Sequence, residues 1–221
     1  MSLPLTGPSF PPKSGKPPKQ VVIFLHGLGA DGDDLIGLAP YFAEVLPDAE
    51  FLSPHAPYPC DMAPFGRQWF SLQDFRPEAI ADGLEKVLPV FDSYLDAVLA
   101  RSGLTEADVA LVGFSQGTML SLHAALRRRA PVAGVVGFSG LLAAPDRLLT
   151  ELTARPPVLL VHGEEDPVVA FGFMDLAARA LEALGVPVVA LARPGLGHSI
   201  DDEGLARGIG FLVEVFKQKQ A

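Results

Sequence analysis

Short β-branched apolar runs alternate along this chain with stretches whose apolar residues recur every three or four positions. That alternation constrains the fold more than any other feature. The runs are Val21–His26, Ala49–Ser53, Val109–Phe114, Val132–Phe138, Val158–Val161 and Val186–Leu191. Each is short and nearly continuous in apolar residues, as expected of strands buried on both faces. Helical spacing appears over 33–46, 78–101, 118–129, 145–154, 172–184 and 202–217. In the longest of these, Ile80, Leu84, Val87, Phe91, Leu95 and Val98 form one stripe, and Pro89 predicts a kink or a break. Strands alternating with helices predict an α/β fold, with a mostly parallel central sheet and helices on both faces. No repeat or linker divides residues 21–221, so a single domain is expected there, in keeping with the 221-residue length. Residues 1–20 hold six prolines and read as an extended arm pinned by Leu3, Leu5 and Phe10.

Composition narrows the function. With 49% hydrophobic residues the bulk of the chain is not disordered. No apolar run approaches the roughly 18 residues of a spanning helix, so integral membrane association is not expected. The net charge of −9 argues against nucleic acid, and the acidic surface reads as a means to solubility. Lys13, Lys16 and Lys19 stand in the arm without an acid, which leaves the remainder more acidic still. The one cysteine, Cys60, allows neither an intrachain disulfide nor a cysteine-based zinc site. With no signal-peptide core in the arm, a cytoplasmic location is expected.

In open parallel sheets, reactive groups gather at the carboxyl ends of the strands. There, Gly113-Phe114-Ser115-Gln116-Gly117 closes one predicted strand and opens a helix, the G-x-S-x-G pattern of a nucleophile elbow. So tight a turn needs small residues around the serine. It exposes Oγ and turns the helix N–H groups toward a developing oxyanion. Serine needs a base oriented by a carboxylate, and on such a sheet the order is serine, acid, histidine. Five histidines are available. His26 and His55 precede the serine. His123 lies on the order of 12 Å along the following helix. Between Ser115 and His162 no strand ends in a carboxylate that could serve as the acid. His198, in Gly195-Leu196-Gly197-His198-Ser199, is therefore the expected base. Of Glu164, Glu165 and Asp166, the last stands before Pro167 in a constrained turn and is the preferred acid; the glutamates read as solvated. The amides of Leu28, in His26-Gly27-Leu28-Gly29, and of Gln116 are the expected oxyanion donors, with the His26 side chain orienting its loop.

Other features leave alternatives open. The segment from Ala56 to Pro77 carries four prolines with Met62, Phe65, Trp69, Phe70 and Phe75, and reads either as a lid-like loop walling a binding site or as packing over the sheet edge. Gly27-Leu28-Gly29-Ala30-Asp31-Gly32 matches the dinucleotide fingerprint, from a different functional class. That reading is disfavoured because Glu50, the acid at the right offset, begins its strand rather than ending it. Ser139 lacks the elbow's outer glycine, and Cys60 has no histidine nearby in sequence.

Leu25-His26-Gly27-Leu28-Gly29-Ala30-Asp31-Gly32, Gly113-Phe114-Ser115-Gln116-Gly117, His162-Gly163-Glu164-Glu165-Asp166-Pro167 and Gly197-His198 occur in that order. Together they resemble the phospholipase/carboxylesterase family of α/β-hydrolases, over about residues 20–217. The resemblance implies an α/β-hydrolase fold, a Ser115–Asp166–His198 triad and an oxyanion hole of Leu28 and Gln116 amides. It further implies a small-molecule acyl ester substrate, no cofactor or metal, and a monomer or homodimer. Arg67-Gln68-Trp69-Phe70 is similar to the stretch with which such enzymes line the acyl pocket. Thr118 departs from the small residue found there in many members. Gly197-His198-Ser199 and the proline-rich arm look closer to bacterial esterases. A carboxylesterase for short- to medium-chain esters is the expectation, with a thioesterase or lysophospholipase for long chains as the alternative.

Overall fold

A computed structural model of the chain describes residues 5–218. Its strands are β1 (Ser9–Phe10), β2 (Gln20–Leu25), β3 (Ala49–Leu52), β4 (Tyr58–Pro59), β5 (Arg67–Gln68), β6 (Val109–Phe114), β7 (Gly134–Phe138), β8 (Val158–Gly163) and β9 (Val188–Arg193). Seven of them form one sheet in the order β1-β3-β2-β6-β7-β8-β9, and β4 with β5 makes a separate hairpin. Within the large sheet β3, β2 and β6 through β9 run parallel, and only β1 is antiparallel. The helices are α1 (Gly32–Leu35), α2 (Ala39–Ala43), α3 (Pro77–Ser102), α4 (Gln116–Ala125), α5 (Leu148–Glu151), α6 (Gly172–Ala183) and α7 (Asp202–Gln218).

Successive strand side chains point to opposite faces, and each face has its own core. On one, Val21, Ile23, Leu25, Leu111, Val135 and Leu160 meet the apolar faces of α3, α4 and α6. On the other, Val22, Phe24, Val112, Val136, Phe138 and Val161 meet α2 and α7 through Phe42, Leu212 and Phe216. Continuous apolar runs in the central strands follow directly from this double coverage. β9, at the sheet edge, leaves Val189 exposed.

Several elements differ from their sequence-based expectation. The helix foreseen over 33–46 is two short helices joined by a 3₁₀ turn at Ile36–Leu38, because Pro40 has no N–H to continue a helix and instead opens α2. Pro89 does not break α3, which runs on through it. Pro89 and Glu85, the residue one turn earlier to which proline's missing N–H cannot donate, both lie on the exposed side of the helix. The helix foreseen over 145–154 shrinks to a 3₁₀ turn at Pro145–Arg147 and the four residues of α5. The arm is more than a tether: Ser9 and Phe10 pair with Leu52 and Phe51, covering the outer edge of β3. Leu5 packs against the core and Phe10 against Phe51, whereas Leu3 lies outside the described residues.

Candidate active site

Ser115 alone separates β6 from α4. Its backbone stands at φ 53 and ψ −116, in the left-handed half of conformational space that an L-residue occupies only under constraint. The surroundings supply that constraint. The Ser115 N–H donates to the Phe138 carbonyl at 2.9 Å, tying the turn to the end of β7. A β-carbon on Gly117 would come within 1.8 Å of the Leu25 carbonyl oxygen, and one on Gly113 within 2.5 Å of Gly117. Both outer positions of the motif therefore exclude side chains. Thr118, the departure from the family pattern, is accommodated by glycines: β-carbons at Gly137 and Gly140 would meet its side chain at 2.6 and 2.4 Å. Its hydroxyl lies 2.8 Å from the Gly113 and Phe138 carbonyls, so the bulkier residue fastens the helix start to two strand ends.

The turn after β8 brings Asp166 to His198. The Nδ1–H of His198 donates to Asp166 Oδ2 at 2.7 Å, while Oδ1 accepts the N–H groups of Val168 and Val169 at 2.8 and 2.9 Å. Burial pushes the Asp166 carboxyl up, but the bonds from His198, Val169 and Val168 outweigh it and hold the group below its ordinary value. Glu164 and Glu165 are exposed, as foreseen. With Nδ1 protonated toward the carboxylate, Nε2 of His198 is the nitrogen left to take a proton. The His198 ring packs 4.9 Å from that of Phe114, the residue before the serine. The Ser115 Oγ has no hydrogen-bond partner among the described residues, His198 included. Sequence reasoning missed His162 at this point. It is buried, with Nε2 2.8 Å from the Val169 carbonyl and 3.2 Å from Asp166 Oδ2. Its spacing of four residues from Asp166, across a turn, was the available signal.

The loop after β2 completes the site. His26 is buried and uses both ring nitrogens: Nδ1–H donates to the Gly27 carbonyl at 2.8 Å and Nε2 accepts the Ala56 N–H at 3.0 Å. Burial lowers its pKa, so it stays neutral and serves as a bracket, not a base. Neither the Leu28 nor the Gln116 N–H has a partner among the described residues, although Gln116 is wholly buried. Unpaired buried N–H groups are rare in folded proteins except where a ligand is to be bound.

The 56–77 segment divides. Trp69 and Phe70 lie in the core, 0% and 3% exposed. The Trp69 indole donates to the His26 carbonyl, and the Phe70 ring rests on α3 where Gly83 leaves room. Met62 and Phe65, by contrast, are exposed at the hairpin tip, 52% and 73% accessible. The rival nucleotide reading finds only the four-residue α1 after its glycines, and Glu50 is engaged by Arg101 at 2.6 Å. Asp31, Asp33 and His55 converge within 4.8 Å. Two of the three side chains brace the turn, since Asp31 Oδ1 accepts the Asp33 N–H and His55 Nδ1 the Gly32 N–H.

Residues 12–215 match the family described as Phospholipase/Carboxylesterase. The chain belongs to the phospholipase/carboxylesterase family. Esterase YpfH of Escherichia coli is 30% identical over 198 residues, covering 89% of this chain and 83% of that protein. Acyl-protein thioesterase 1 of Gibberella zeae is 29% identical over 216 residues, covering 90% of this chain and 89% of its own. Among solved structures, esterase PE8 superposes with a TM-score of 0.92 at 40% identity, over 96% of this chain and all (100%) of that one. Arabidopsis thaliana SOBER1 shares the fold, with a TM-score of 0.75 at 24% identity over 89% of this chain and 98% of its own. Family membership makes the sheet an α/β-hydrolase fold and the chain a carboxylic ester hydrolase. Among the described residues, no helix is long and apolar enough to cross a membrane.

Proposed function

We propose that the chain hydrolyses acyl esters through an acyl-enzyme on Ser115. As Oγ attacks the ester carbonyl, Nε2 of His198 takes its proton, and Asp166 stabilises the imidazolium that results. The carbonyl oxygen becomes an oxyanion held by the Leu28 and Gln116 N–H groups. The imidazolium then protonates the departing alcohol. Water, deprotonated by the same histidine, attacks the acyl-enzyme and releases the acid. The observation that carries this reading is the 2.7 Å His198–Asp166 bond beside a serine held at positive φ. The Ser115–His198 bond is the one contact still to form, and such bonds commonly tighten only with substrate in place. A fluorophosphonate should label the protein stoichiometrically, with the adduct mapped to the Ser115 peptide. An unlabelled protein, or an adduct elsewhere, would overturn the assignment.

A second reading, long acyl esters or thioesters, is favoured by an apolar groove of about 790 Å³ between the start of α3, the 141–147 segment and α6. Ile80, Leu141, Leu142, Phe173, Leu176 and Ala177 are among its walls. Leu141 follows Gly140, where a β-carbon would lie 3.0 Å from the Ser115 carbonyl oxygen, so one wall of the groove leads off from beside the elbow. Pockets of roughly 300–1,000 Å³ hold ligands of drug size, well beyond an acetyl group. Filling it with Ala180→Phe, a half-buried position on α6, should shift the dodecanoyl-to-acetyl ratio of kcat/KM at least about tenfold toward acetyl, near 1.4 kcal/mol. An unchanged ratio in a chain-length series would remove the groove from the acyl path.

A further inference from the structure

The two proposed oxyanion donors come from separate segments, Leu28 beyond β2 and Gln116 at the start of α4. The pairing of β2 with β6 ends at Leu25 and Gly113, before either donor is reached. Past that point the two segments pack on each other at Gly27 and Gly117, and the hydrogen bonds that link them run through the stem of the 56–77 loop. The Gln116 side chain, wholly buried, uses both ends of its amide on that stem: Oε1 accepts the Trp69 N–H and Nε2 donates to the Phe70 carbonyl, each at 2.8 Å. From the same stem, the Trp69 indole N–H reaches the His26 carbonyl at 3.0 Å, and its ring lies 5.4 Å from that of His26. Two residues earlier in the hairpin, Arg67 accepts the Gly29 N–H and donates to the Ala30 carbonyl, at 2.9 and 2.8 Å. At the loop's other end, the Ala56 N–H is held by His26 Nε2.

We propose that the Gln116 side chain is a positioning residue: it clamps the loop stem to the elbow and, through the stem, sets the Leu28 segment against its own N–H. This rests on the esterase reading above and adds a role to the residue. Its partners are all main-chain groups, so the clamp needs one donor and one acceptor on a fork, which a glutamine supplies and an apolar residue of equal length does not. The segment is accordingly not a lid that opens from its base. Ala56 and the 67–70 stem are fastened to the oxyanion machinery and Gly66 packs on Gly29, while Met62 and Phe65 nearer the tip are exposed.

Gln116→Met keeps the length of the side chain and the backbone N–H but removes both bonds. Trp69 is the only tryptophan in the chain, so its acrylamide quenching reports release of the stem directly. The expected result is a folded protein with quenching raised at least about threefold, kcat for a p-nitrophenyl ester lowered about tenfold to a hundredfold, and KM nearly unchanged, since oxyanion contacts strengthen in the transition state. More accessible Trp69 with unaltered kcat would reduce the clamp to a structural tie and overturn the proposal. Lowered kcat with Trp69 still shielded would equally overturn it. A wild-type protein that neither turns over the ester nor takes the fluorophosphonate would defeat the esterase reading itself, and quenching would still report on the clamp. Should the variant not fold, amide exchange in the wild type decides: the Trp69 N–H is expected to be protected like the strands while Met62 and Phe65 exchange freely. Equal exchange at all three would overturn the clamp.

Discussion

Ser115→Ala is expected to lower kcat on p-nitrophenyl acetate by roughly 10⁶-fold while leaving the fold intact. The two halves of that expectation have separate grounds. Loss of Oγ removes the atom that would carry the acyl group, and neither His198 nor the oxyanion amides can substitute for it. Only the residual acceleration from binding and the oxyanion hole should survive, roughly 10³–10⁴-fold over water. The fold is spared because Oγ makes no hydrogen bond to a described residue, and the turn is held by the Ser115 N–H and by the glycines on either side. Alanine meets the same steric cost as serine at φ 53, so the strain is unchanged. Thermal unfolding of the variant should therefore overlay the wild type. Turnover at the wild-type rate would dismiss Ser115 as the nucleophile.

The sequence made the strands legible because double coverage demands unbroken apolar runs, which few other structures need. Val109–Phe114 matches β6 to the residue, since the elbow fixes where the strand must stop. His198 and Asp166, chosen from five histidines and three carboxylates by strand order and turn chemistry, are within hydrogen-bonding distance. The unread parts share a cause. Trp69, Phe70 and Gln116 are joined by main-chain and side-chain contacts 46 and 47 residues apart, and no local pattern encodes such a meeting. Aromatic residues in a long loop fit a binding wall and a core equally well, so the sequence does not reveal that Trp69 is buried. The strand at Ser9–Phe10 is two residues long, too short for any periodicity to register. His162 was set aside as a base on sound grounds, yet its approach to Asp166 depends on a turn geometry that residue order alone does not specify.

Asp166→Asn should lower kcat by about 10⁴-fold, the scale of loss when a triad carboxylate becomes an amide. The hydrogen bonds around Asp166 explain why no orientation of the amide rescues it. The carboxylate is surrounded by donors alone: the N–H groups of Val168 and Val169 on Oδ1, and His198 Nδ1 with His162 Nε2 near Oδ2. An asparagine that keeps its oxygen toward the valine amides points its NH₂ at His198. The imidazole must then accept at Nδ1 and carry its proton on Nε2, facing Ser115 as a donor where a base is required. Turned the other way, the NH₂ opposes two backbone N–H groups in a buried site, a conflict that costs on the order of 1–3 kcal/mol. Acid behaviour separates the variant further. The wild-type carboxyl is held below its unfolded value of about 3.9, so its contribution to stability is present above that pH and is lost as pH falls through the folded value. The amide has no such titration. The variant should therefore be the less stable protein at neutral pH, with the difference narrowing in acid, as urea melts from pH 7 to pH 3 would record. A variant that retains wild-type kcat would show that His198 needs no orienting carboxylate.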